Sequence, residues 1–294
     1  MSMHPKEQAA TDRPDRMSLL PQGNPPDASA PEPSASEPPT REEVLDIATQ
    51  AGDLLLRNGA ETYRVEESIA RICAAYGYLS EPFALPTGVF ASISGKGMPL
   101  SVIRRIRGRT IDLGKVARLN AFAREVELSR PGYMDAISRL RAINTPPPYP
   151  RRLILLSYSL TAAIFTLLYH GSPREAISAF VIGILLAALR LLFLSRSLFP
   201  FLEYFTGGMV AGFFSLLASW ADPGINAYVV ITGSLINLMP GTALVNGIRD
   251  MLNGDSVSGI ARLGEALLSV SIMAAGAAIA VGGAMSLLSI PAPG

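Results

Sequence analysis

Cysteine occurs once, at Cys73, and histidine twice, at His4 and His170. A single cysteine excludes a disulfide or a cysteine-built metal site within one chain. Two histidines so far apart offer no metal-ligand spacing, and no cofactor is expected. Lysine is nearly as scarce: Lys6, Lys96 and Lys115 complete the set, and all precede residue 152. Beyond that point the only basic side chains besides His170 are Arg174, Arg190, Arg196, Arg249 and Arg262. The first residues contain no apolar run of leader type, so no secretory signal is expected. No nucleic-acid-binding motif accompanies the basic residues, and nucleic acid is not an expected partner.

What the chain has in quantity is apolar sequence. Hydrophobic residues make up 49% of its 294 positions, and the mean hydropathy is +0.32. Both values are high for a soluble protein. The net charge of +1 hides an uneven distribution, charged before residue 152 and sparsely charged after it.

Residues 1–39 are rich in Pro, Ser, Ala and acidic groups, a composition that does not bury enough apolar area to order itself. Thr40 and Glu43 then have capping-box spacing, and Val44, Ile47, Ala48, Ala51, Leu54 and Leu55 follow at helical spacing. Gly59 suits the left-handed position past a helix end. A second helix is expected over about Glu61–Tyr76, with Cys73 in its apolar face and Glu67 paired to Arg71 on its wet side. Strand-like segments follow around Phe83–Ile93 and Leu100–Ile106, joined by a turn at Gly95-Lys96-Gly97. Arg104, Arg105, Arg107 and Arg109 read as a solvated basic face close to a membrane. Helices over about Asp112–Ser129 and Tyr133–Ile143 complete an α+β domain over 40–145. Pro146-Pro147-Pro148 stiffens a linker over 146–152.

Five apolar stretches occupy 153–290: about Leu153–Tyr169, Arg174–Leu194, Phe199–Trp220, Gly224–Leu244 and Ile260–Ile290. Each approaches or exceeds the ~20 residues a helix needs to cross hydrocarbon. The expected fold is thus a membrane α-helical bundle of about five transmembrane helices, preceded by a cytoplasmic α+β domain. Arg151, Arg152, Arg190, Arg196, Arg249 and Arg262 fall on one side of that arrangement. The positive-inside tendency puts the N-terminus in the cytoplasm and the C-terminus outside. Gly208 and Gly212, with Gly276, Ala280 and Ala284, suggest close helix packing. Trp220 and Asp222 suit an outer interface.

The stretch 237–269 stands apart. It lies between apolar runs, yet carries Asn237, Asn246, Arg249, Asp250, Asn253, Asp255, Arg262 and Glu265. Its Pro240-Gly241 pair breaks a helix, because proline removes a donor and clashes with the preceding turn. Polar, broken backbone at membrane depth is tolerated only against protein or a water-filled cavity. A transport path for a small solute is therefore expected along Asn237, Pro240, Gly241, Asn246, Arg249, Asp250, Asn253, Arg262 and Glu265. Arginine holds a carboxylate through paired hydrogen bonds, and a buried carboxyl takes up a proton. Asp250, Glu265 and Glu203 are the candidates for proton coupling. A membrane-anchored sensor with a ligand-binding front domain is the alternative. A membrane enzyme would need a nucleophile–base pair or metal site, and so few histidines and cysteines offer neither, though carboxylates alone can do acid–base work.

Three stretches, LLLRNGAETYRVEESIARI (54–72), PTGVFASIS (86–94) and NLMPGTALVNGIRDMLNGDSVSGIARLGEALL (237–268), resemble the threonine/serine exporter family from about Arg41 to Ile290. The resemblance implies a secondary exporter of small carboxylates or amino acids, threonine and serine or succinate, in the cytoplasmic membrane. It also implies the split form of that family, a YjjP-type component working with a smaller YjjB-type membrane subunit. A homo-oligomer is the other way to complete such a half. Asn58, Gly59, Glu61 and Glu66 of the first stretch are expected to be structural or regulatory.

Overall fold

The computed structural model describes residues 38–95, 97–145, 149–196 and 200–288. The expected tail over 1–39 lies almost wholly outside them, as do Lys96, the three prolines at 146–148 and the last six residues.

The chain first builds a small core of its own. Thr40 and Glu43 close a reciprocal capping box at the start of α1 (Arg41–Arg57). Helices α1 and α2 (Thr62–Ala75) turn their apolar stripes inward. Three antiparallel strands, β1 (Ser80–Leu85), β2 (Gly88–Ile93) and β3 (Leu100–Arg105), lie side by side in chain order. Period-2 alternation sends Ala84, Val89, Ala91 and Ile93 into this core and leaves Phe83, Phe90 and Ile103 in one row on the exposed face. Helices α3 (Leu113–Ser129) and α4 (Tyr133–Asn144) add Leu119, Phe122, Val126 and Leu140 to it. Cys73 is fully buried there, and burial pushes its thiol up to about 11. Glu67 and Arg71 pair at 2.7 Å as their spacing suggests.

The basic cluster is less solvated than its composition implies. Arg104 turns inward to pair with Asp46 and donates from Nε to the Thr49 hydroxyl at 2.8 Å. Arg109 reaches across to Glu265 at 2.6 Å.

A second core holds the apolar helices together. It gathers Ala162, Ala179, Ile182, Leu186, Ala211, Val230, Leu238 and Met273. These come from α5 (Arg151–Leu168), α6 (Pro173–Arg196), α7 (Pro200–Ala221), α8 (Ala227–Leu235), the 3-10 turn Ile236–Leu238, and α10 (Ser256–Leu288). Among the described residues four helices are long and apolar enough to cross a membrane. A fifth span exists if the bent pair Ala227–Leu238 and Gly241–Leu252 counts as one.

The fourth apolar run is broken where its Pro240-Gly241 pair predicts: it stops at Met239-Pro240, and α9 (Gly241–Leu252) leaves at 63°. Helix α10 starts four residues before the expected Ile260 and carries Arg262 and Glu265, as the expected span does. Its 33 residues reach about 50 Å at 1.5 Å per residue, against roughly 30 Å of hydrocarbon.

Glycine sets the closest approaches. At Gly208 a Cβ would collide with the Met273 backbone carbonyl, and at Gly212 it would lie 2.6 Å from that of Ala277. Helix α7 crosses α10 at these positions because nothing projects there. At Gly183 the same test gives 2.6 Å to Ser159 Cα, bringing α6 against α5. Gly208→Val is expected to destabilise the bundle by about 1–3 kcal/mol or more through overpacking. Thermal unfolding of the protein in detergent checks this; an unchanged midpoint would place the α7–α10 crossing elsewhere.

Candidate functional site

The α1–α2 turn is where the front core meets α9 and the start of α10. Helix α1 ends at Arg57, and Gly59 follows at φ +93°, a conformation that disfavours any side chain. The first N–H groups of α2 then need acceptors from outside the helix. The residue at the N-cap position, Glu61, makes no capping bond. Its carboxylate pairs instead with Arg249 and lies 3.3 Å from Arg64 Nε.

The cap comes from 188 positions away. Asp250 of α9 is fully buried. Its Oδ1 accepts from the Thr62 backbone N–H at 3.1 Å, and its Oδ2 from the Thr62 hydroxyl at 2.9 Å. A negative charge at a helix N-terminus also suits the helix dipole. The countercharge is Arg262 of α10, itself buried, with Nε 3.0 Å from Asp250 Oδ2 as an ion pair and not an aligned hydrogen bond. Arg262 Nη2 donates to the Ala60 carbonyl at 2.9 Å, and Asn246 Nδ2 to the Gly59 carbonyl at 2.8 Å. Three side chains of the 237–269 stretch thus satisfy the backbone of the α1–α2 turn.

Local sequence makes this possible. Asn246 and Asp250 stand four apart on α9 and share its buried face with Gly247. A Cβ at Gly247 would lie 2.9 Å from the Leu263 side chain, and one at Gly259 2.7 Å from the Gly247 carbonyl. The two helices approach closely enough for Asp250 to meet Arg262 only because both positions lack a side chain.

The remaining residues of the expected path are placed differently. Asn253 does not share that buried face: it is exposed at the end of α9 and donates back to the Arg249 carbonyl at 2.9 Å. Glu265 is half-exposed and meets Arg109. Ser269, one turn on, is buried and donates to the Glu265 carbonyl. Asn237 lies in the 3-10 turn and donates to the Tyr158 carbonyl at 2.9 Å. Pro240 and Gly241 form the break itself, with open space where a Gly241 Cβ would point. Glu203 pairs at 2.8 Å with Arg190, next to the rings of Tyr158 and Tyr204. Asp250 and Glu203 therefore belong to separate clusters, one at the turn and one near the α6–α7 end.

A third carboxyl joins the first cluster. Glu66 of α2 accepts from the Ala84 backbone N–H at 2.8 Å. Burial pushes its proton affinity up, and the charges of Asp255 and Asp250 add to this. Asp255 is raised too, by burial first and by Asp250 second. Among the described residues no group of three or more His, Cys, Asp or Glu side chains has metal-binding geometry.

Sequence reasoning kept the two stretches apart. It named Gly59 and Glu61 without a partner, read Arg190 for orientation alone, and overlooked Ala60, Thr62 and Arg64. The available signal was physical: α2 begins with no local cap and no acidic residue in its first turn.

Comparison with known proteins fits this geometry, since the matching region contains both halves of the contact. Residues 46–283 match the sequence profile of the ThrE family, described as "Putative threonine/serine exporter". The chain belongs to this family. It is a membrane-embedded, multi-pass component of a solute exporter and not an enzyme. It is 27% identical over 224 residues to a protein of Klebsiella aerogenes named "Probable succinate transporter subunit YjjP", covering 74% of this chain and 85% of the relative. The Escherichia coli protein of the same name is 26% identical, with 86% of its length covered. The threonine/serine exporter of Corynebacterium glutamicum is 22% identical over 248 residues, and the chain spans half of its length. No solved structure matches.

The ion pair has a measurable weight. Removing one partner of a buried pair typically costs about 3–5 kcal/mol, because the other charge is left uncompensated. Asp250→Ala is expected to fall in that range. The double variant Asp250→Ala/Arg262→Met is expected to recover part of the loss. Chemical denaturation of the four proteins of the cycle in lipid nanodiscs checks this, and additive losses would deny the coupling.

Proposed function

We propose that this chain is one half of a secondary exporter of small carboxylates or amino acids, with its front region forming the cytoplasmic gate. The solutes named for the relatives, succinate in one branch and threonine and serine in the other, set the class to test. The observation that carries the reading is the buried Asp250–Arg262 pair closing on the α1–α2 turn beside a broken helix. Broken helices whose ends meet solute or ion are a recurring device of secondary transporters. A buried charged pair is costly to open without a replacement partner, which suits a gate with two states.

In this reading the path runs past Asn237, Pro240 and Gly241 and reaches the front region along Asn246, Arg249, Asp250, Asn253, Arg262 and Glu265. Asp250, Glu265 and Glu203 are the carboxyls available to couple a proton. The second half of the path comes from another membrane subunit of YjjB type or from a second copy of this chain. The name of the YjjP relatives, which calls them subunits, supports the need for a companion. The membrane is the cytoplasmic one, with the front region inside and the C-terminal end of α10 outside. Arg151, Arg152 and Arg190 on one side, against Asp222 and Trp220 on the other, support that orientation.

Efflux from sealed vesicles tests the function, with the chain alone and with a YjjB-type subunit, using labelled serine, threonine and succinate. Asp250→Asn is expected to impair export more than Asp255→Asn, because it removes the countercharge of Arg262 and one of two acceptors for Thr62. Equal export by the two variants would take Asp250 out of the mechanism. Compartment-specific reporters fused near Asp222 and at Gly294 are expected to report the outer side at both points. A cytoplasmic signal from both would reverse the orientation.

A further inference from the structure

An open cleft of about 440 Å³ lies where the α1–α2 turn, α3 and the start of α9 come together. That volume is within the roughly 300–1,000 Å³ of small-molecule sites. Its lining includes the apolar side chains of Leu113, Val116 and Val245. It also includes Arg64 and Arg249, both paired to the single carboxylate of Glu61. Glu61 is buried, whereas the two arginine side chains are 44% and 45% exposed and remain accessible from the cleft. Two positive charges and one negative leave the trio at +1. Asn246 adds an amide whose nitrogen is already committed to Gly59.

We propose that this cleft binds a small organic anion, its carboxylate held by Arg64 and Arg249 and its short hydrocarbon part set against Leu113, Val116 and Val245. Glu61 is the internal counterion that occupies the arginines when the cleft is empty. The chemistry follows from the donors: a guanidinium holds a carboxylate through two parallel bonds, and an ammonium ion would meet the same pair with repulsion. An incoming anion competes with Glu61, the residue immediately before Thr62. Binding therefore loosens one of the side-chain links between the α1–α2 turn and α9 and leaves the Asp250–Arg262 link in place. The inference deepens the exporter reading by naming a front-region arginine, Arg64, as part of the solute site. Binding itself is measurable without flux.

The test is calorimetric titration of the full chain in lipid nanodiscs with succinate, with acetate, and with succinamide as the uncharged control. Succinate and acetate are expected to bind and succinamide to give no heat. Arg64→Gln and Arg249→Gln are each expected to weaken succinate by about tenfold, one good charge-assisted contact. Glu61→Gln is expected to tighten it, since the competing carboxylate is gone. Arg249→Lys guards against a folding defect: it keeps the charge without the fork and is expected to lie between wild type and Arg249→Gln. Succinamide binding as well as succinate, or affinity unmoved by Glu61→Gln and by both glutamine variants at arginine, would overturn the proposal. Succinate efflux unchanged by Arg64→Gln would leave the exporter reading standing and remove this cleft from it. Carboxylate binding with the stated variant pattern but no efflux would support the cleft and fail the exporter reading.

Discussion

A carboxylate with no exposed surface cannot stay charged unless its environment replaces the lost water. Asp250 meets that demand with the Arg262 charge, the Thr62 N–H and the Thr62 hydroxyl. Much of the architecture follows from this constraint. Helix α2 can begin without a local cap because Asp250 supplies one. Gly59 must take a left-handed conformation so that the carbonyls of Gly59 and Ala60 face Asn246 and Arg262. The α9–α10 hairpin must be tight, which Gly247 and Gly259 allow.

The break at Pro240 serves the same end. A straight continuation of α8 would carry Asn246 and Asp250 along the axis of the apolar bundle, where neither has a partner. The 63° turn sends α9 away from that axis toward the front region. Helix α10 returns from the α9–α10 turn and packs along α7, with Gly208, Gly212 and Gly276 permitting contact between backbones. Apolar packing thus holds one end of α10, and a charged, hydrogen-bonded junction holds the other.

These two kinds of contact respond differently to a change in conditions. Apolar packing in lipid is broad and tolerant of small shifts, because many weak contacts add up. The junction depends on a few groups whose satisfaction is all or none. Around it stand further charged and titratable groups. Glu61 is shared by two arginines, and the proton affinity of Glu66 is raised by burial beside Asp255 and Asp250. An exporter needs a contact of this second kind, since a path that opens and closes requires distinct states and not gradual deformation.

The sequence alone determined much of the local structure. The capping box at Thr40, the left-handed Gly59, the buried Cys73, the strands around Phe83 and Val89 and the apolar runs all follow from rules acting over a few residues, and each is found. The polar character of 237–269 and the break at Pro240-Gly241 were equally legible, as was the family. Tertiary structure alone decided what the polar side chains face. Periodicity puts Asn246, Asp250 and Asn253 on one helical stripe, but it cannot say that Gly59 and Thr62 cover the first two and leave Asn253 exposed. It reads Arg109 as a solvated base and Glu265 as part of a path, yet the two meet across 156 positions. Caps, pairs and turns within a segment are written in neighbouring residues. A partner that arrives from the far end of the chain is chosen by packing, and packing is a property of the whole fold.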